Sequence, residues 1–153
     1  MDKKMTNRFF SLITAILIGA LSPTPSSAKC AGSINMPSQQ VSITFKRNEI
    51  SPNTEQNEKL KEWSKKVLSN YSTHQWLSVS AQAQPDEDNP DDLATSRAVS
   101  LTKLALDDGL VRAPIELKTR VGSFGNPASY GDEARTGTLQ LTPGCPNNCC
   151  DGK

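Results

Sequence analysis

The chain has 153 residues, enough for one domain and too few for two, with 17 basic and 16 acidic side chains and a single histidine. A net charge of +1 offers no electrostatic grip on nucleic acid or an anionic membrane. Any partner must be held by local chemistry.

In chain order, the first segment reads as a leader. Lys3, Lys4 and Arg8 precede an apolar run at residues 9–21, and "SPTPSSA" follows. Basic, apolar, then small is the order of a secretory signal peptide, with cleavage expected after Ala28 and residues 1–28 removed. The run is shorter than the ~20 residues of a spanning helix, so no membrane span is expected after cleavage. Lys29 stands where a lipoprotein signal wants a small residue, which argues against lipidation of Cys30.

All four cysteines, Cys30, Cys145, Cys149 and Cys150, lie beyond the leader. An even count in an exported chain reads as disulfides. Pairing Cys149 with its neighbour Cys150 is strained. The other two arrangements join Cys30 to Cys149 or to Cys150 and close a small ring with Cys145. A zinc site would want paired C-x2-C units or nearby histidine, and neither is present, so no metal or other cofactor is expected.

After an N-terminal arm at 29–40, Val41, Ile43 and Phe45 alternate as in a half-buried strand. Ser51 and Pro52 suit a helix start, and Leu60, Trp63, Val67 and Tyr71 then recur at helical spacing. Charged residues from Glu58 to Lys66 fill the opposite, solvated face. Leu77, Val79, Ala81 and Ala83 predict a second strand, and "QPDEDNP" a loop. Asn89, Pro90, Asp91 and Asp92 predict a capped helix start, and Gly109 a stop. Ile115, Leu117, Thr119 and Val121 predict a third strand. "GSFGNPASYGDEA" reads as a long loop, Leu139 and Leu141 mark a fourth strand, and 143–153 is a cysteine-rich tail. The fold class expected is α/β: one β-α-β-α-β-β domain over 41–142, a mixed sheet with two helices packed on one face.

One residue breaks the pattern. With Leu93 at zero on a helical wheel, Leu104, Leu101, Ala94, Ala105 and Ala98 span about 20° to 140°, and Arg97 falls at about 40°, inside the apolar arc. A guanidinium there must be paired. Its partner is an internal acid (Asp86, Glu87 or Asp88), or water reached by snorkelling, or the carboxylate of a ligand in the loop pocket.

"DDLATSRAVSLTKLALDDGL" is similar to the pattern Leu-Ser-x-x-Arg-Ala, an apolar helix and a glycine, found in OmpA-like C-terminal domains, including peptidoglycan-associated lipoproteins and flagellar motor stators. "VSITFKRNEISPNTEQNEKLKEWSKKV" resembles the opening strand and helix, "IELKTRVGSFGNP" the third strand and its loop, and "ARTGTLQL" the last strand. The resemblance covers roughly residues 40 to 142. It implies a Gram-negative periplasmic location and a site for the diaminopimelate of the peptidoglycan stem peptide, built from an arginine and an aspartate. Arg97 falls on the family arginine and Arg135 on the first arginine of the last-strand motif. Gln84 takes the aspartate's place, and the family's glycine and histidine are Ala81 and Gln82. Ala94 replaces the serine, Asn89 lies one position from the loop asparagine, and Asp86 or Asp88 is the acid that could reach the pocket. Glutamine lacks the charge that holds an ammonium, so the resemblance implies weakened or altered binding to the wall. The alternative is a module that binds other proteins of an envelope assembly, such as a secretion or conjugation apparatus, without binding peptidoglycan. An enzyme is not expected: His74 stands without a nucleophile motif or an acid pair.

Overall fold

The computed structural model describes residues 35–122, 135–145 and 150. The leader read at 1–28, Cys30, Cys149 and nearly all of the loop "GSFGNPASYGDEA" lie outside the described residues. The elements are β1 (Gln39–Thr44), α1 (Thr54–Asn70), β2 (His74–Ala83), α2 (Pro90–Asp107), β3 (Ile115–Val121) and β4 (Thr136–Pro143). They form a mixed four-stranded sheet in the order β1-β4-β2-β3. β2 and β3 are parallel, as expected of a strand–helix–strand crossover, and β4 runs antiparallel to both β1 and β2. The last strand is therefore inserted between the first two.

Strand periodicity decides which face is buried. Val41, Leu139 and Val79 lie side by side across the sheet, as do Leu141 and Leu77. These side chains meet Leu60 and Val67 of α1 and Leu101 and Ala105 of α2 in one core. Small residues let α2 lie close to the sheet: Ala94, Ala98 and Ala105 of the helix and Ala81 and Ala83 of β2 are all buried, and Ala83 clusters with Leu93 and Ala94. Gly137 of β4 completes the fit, since a Cβ there would collide with the Leu101 side chain. This close approach brings the first half of α2 against the ends of the strands.

Several local expectations need correction. Asn53, not Ser51, caps α1: its side chain accepts the Gln56 N–H at 2.9 Å. Asn89 does precede α2, but in a left-handed conformation with no side-chain cap bond; its exposed position leaves the helix start to Pro90 and the acidic first turn. β1 begins two residues before Val41, so part of the expected arm is strand. Leu117, expected on a buried face, is 45% exposed because β3 is an edge strand. At the far end of α2, Gly109 stops the helix at φ +95°, its N–H bonding Leu106 O while the Leu110 N–H reaches Ala105 O.

Candidate functional site

The parallel strands β1 and β2 end side by side with β4 starting between them, and the loops that follow, 45–49 and 84–89, converge over the first half of α2. Arg97 projects into that convergence and is fully buried. All five of its N–H donors are taken. Nε bonds Glu49 O at 2.8 Å, Nη1 bonds Gln82 O at 3.0 Å, and Nη2 bonds Lys46 O at 3.0 Å. The remaining two form a bidentate pair with Glu87, Nη1 to Oε2 at 2.9 Å and Nη2 to Oε1 at 2.7 Å. The Phe45 ring packs 4.9 Å from the guanidinium carbon. One side chain thus ties together the end of β2, the loop after β1 and the loop before α2.

Glu87 is satisfied as completely. Its Oε2 also accepts the Gln84 N–H at 2.7 Å, and its Oε1 the Asn48 N–H at 2.8 Å. Arg135 Nε stands 3.6 Å from Oε1. The side chains of Glu87 and Arg97 are both 0% exposed. Burial by itself would raise the Glu87 carboxyl from its ordinary 4.5. The hydrogen bonds from Arg97, Gln84 and Asn48, with the charge of Arg97, outweigh that and hold it at about 2. The Glu87 carboxylate is therefore ionised at any physiological pH.

Of the acids weighed as internal partners, Glu87 is the one that meets the arginine. Asp86 and Asp88 turn outward: Asp86 pairs with Arg47 at the surface, and Asp88 exchanges hydrogen bonds with Asn48. Asn48 can do this because it adopts a left-handed conformation, φ 58°. Gln84 enters the site through its backbone, giving its N–H to Glu87 and accepting the Glu87 N–H at 3.1 Å. Arg135 reaches the same carboxylate, and its carbonyl accepts the Phe45 N–H at 2.8 Å. Asn89 is exposed beside this cluster and makes no side-chain cap bond. The three carbonyls on Arg97 carried no sequence signal, because backbone acceptors look alike in every residue.

His74 lies at the opposite end of β2, buried, with Nε2 3.1 Å from Tyr71 O. Burial pushes its pKa down. Nearby, Cys145 is bridged to Cys150, closing a small C-terminal ring; Cys30 and Cys149 lie outside the described residues. Among the described residues no cluster of acids, histidines or cysteines could hold a metal, and no helix is long and apolar enough to cross a membrane.

A scan against protein-family models found no match, and neither did a search of curated proteins. Solved structures do match. The periplasmic domain of Helicobacter pylori MotB aligns with a TM-score of 0.55 at 11% identity, covering 79% of this chain and 85% of that one. The cell wall anchor of the type VI secretion system from Pseudomonas aeruginosa gives 0.54 at 16%, covering 72% and 84%. The OmpA-like domain of FopA1 from Francisella tularensis gives 0.53 at 10%, covering 70% and 73%. At such identities the likeness is one of fold, and it agrees with the resemblance carried by the sequence motifs.

Proposed function

We propose that this chain, whose fold is OmpA-like, is an exported cell-envelope domain that associates with the peptidoglycan wall through the loop end organised by Arg97. The observation that carries the reading is the arginine's place. It lies in the first half of α2 beneath the converging loops, with a second arginine, Arg135, within 3.6 Å of the same carboxylate. A cell wall anchor is among the proteins of like fold, which supports the same reading. In the closed arrangement Arg97 acts as a positioning residue, shaping the loop end from beneath.

Cosedimentation of the leaderless chain with purified sacculi tests the proposal. A pelleted fraction that saturates with added sacculi is expected; a chain that stays in the supernatant overturns wall association.

A second reading has its own observation. Arg97 and Glu87 satisfy each other, as suits a domain that keeps the fold for binding envelope proteins and makes no wall contact. Its test is affinity purification from detergent-solubilised envelopes. A stoichiometric protein partner, with no sedimentation on sacculi, would favour it over the first.

A further inference from the structure

β3 lies at one side of the sheet, and its outer edge pairs with no other strand among the described residues. Backbone parity fixes which groups lie there. Pro114 O accepts the Leu77 N–H and the Gly122 N–H reaches Ala83 O, so the even-numbered residues of β3 face β2. Ile115, Leu117, Thr119 and Val121 therefore turn their N–H and C=O groups outward, a template for another strand. Charge and apolar surface gather at the same edge. Glu116 and Lys118 flank Leu117 and pair at 2.9 Å, with side chains 59% and 60% exposed. Among the exposed large apolar residues, Leu117 lies on β3, Val111 on the segment leading into it, and Val99 and Leu106 on α2, which packs against it. We propose that this edge is a homodimer interface, in which β3 strands of two copies pair antiparallel about a twofold axis at Leu117.

The residues select that register. Outward groups must meet outward groups, so odd-numbered residues face odd-numbered ones. With the axis at Leu117, the two Leu117 residues face each other, and Ile115 of each copy faces Thr119 of the other. Glu116 of each copy then faces Lys118 of the other, so both charged pairs across the axis are attractive. The neighbouring registers are worse. An axis at Lys118 sets two lysines opposite each other, one at Glu116 sets two glutamates opposite, and one at Thr119 sets Lys118 against Arg120. The Leu117 side chain shares the helix face of β3 with Ile115, which packs on the core. The two leucines therefore meet on the helix side of the joined sheet, and a side chain 45% exposed in one copy leaves water. A second copy is the occupant that fits, because the edge is complementary to itself in charge and shape, as a twofold interface requires. Pairing also satisfies the open backbone groups of both edges at once.

Analytical ultracentrifugation of the chain purified after export tests the interface, on material in which a non-reducing gel shows no disulfide between copies. A reversible monomer–dimer equilibrium is expected; a chain that stays monomeric up to about 1 mM overturns the proposal. The register is tested by charge reversal at two exposed positions, where the fold is not at stake. Glu116→Lys sets lysine against lysine twice and should raise the dissociation constant at least about tenfold, and Lys118→Glu should do the same with glutamates. The exchange Glu116→Lys/Lys118→Glu restores both attractive pairs and should bring the constant back to within about threefold of the wild type. An equimolar mixture of the two single variants should form mixed dimers. Single variants that dimerise as the wild type does, or an exchange that restores nothing, would place the contact elsewhere and overturn the proposal.

Discussion

The two ends of the sheet are closed in different ways. At one end, three chain segments are held by a buried ion pair and its backbone partners, with no covalent link among the described residues: Arg97 and Glu87 between the loops after β1 and β2. At the other, the chain leaving β4 is bound by the Cys145–Cys150 disulfide, and the Gly144 N–H bonds Thr73 O at 2.9 Å. The disulfide restricts the unfolded chain and is indifferent to pH across the physiological range. The ion pair exists only in the folded state and depends on both partners being charged and complete. An electrostatic closure can be titrated; a covalent one must be reduced.

The largest expected effect comes from breaking the first closure. Arg97→Ala leaves Glu87 buried without its counter-charge and three carbonyls without donors, and should cost about 3–5 kcal/mol in urea unfolding. A loss below about 1 kcal/mol would mean that water reaches the pair and that the end is not closed. Acid titrates the same closure. The Glu87 pKa is depressed in the fold, from 4.5 to about 2, so its contribution is complete above pH 4.5 and is lost as pH falls toward 2. His74, whose pKa is also lowered by burial, adds a smaller loss of stability below about pH 6.5. Unfolding curves between pH 7 and pH 2 should therefore steepen in their loss below pH 4.5 in the wild type and not in Glu87→Gln. The smaller effect belongs to the other end. Opening the short Cys145–Cys150 ring by Cys145→Ser and Cys150→Ser should cost about 2 kcal/mol on the chain-entropy estimate, with no dependence on pH between 4 and 7. A pH-dependent loss there, or none at the arginine end, would erase the contrast.

Much of this architecture was legible before any coordinates. Alternation at Val41/Ile43, Leu77/Val79 and Leu139/Leu141 marked strands with one buried face, and those residues are the core. Arg97 stood out because it fell inside the apolar arc of its helix, and a buried charge announces a partner. The partner's identity was narrower than the loop yet still open: Asp86, Glu87 and Asp88 are adjacent, chemically alike, and point different ways. The start of α1 was misread at Ser51, where Asn53 stands two residues on and only the backbone path decides which of them caps; the start of α2 was read correctly at Asn89 and Pro90, although the Asn89 side chain makes no cap bond. Leu117 looked like a core residue because alternation records which face a side chain takes and says nothing of how near the sheet's edge it lies.

The sequence by itself determined the order of the elements, the buried face of each strand and the need for a counter-charge at Arg97, because each follows from short-range periodicity and from the cost of burying charge. Tertiary structure alone decided that β4 enters between β1 and β2, that Glu87 is the acid turned inward, and that Lys46, Glu49 and Gln82 lend their carbonyls to the same guanidinium. Those are contacts between segments far apart in the chain. Their geometry is set by how close the small residues Ala94, Ala98 and Gly137 let α2 come to the sheet.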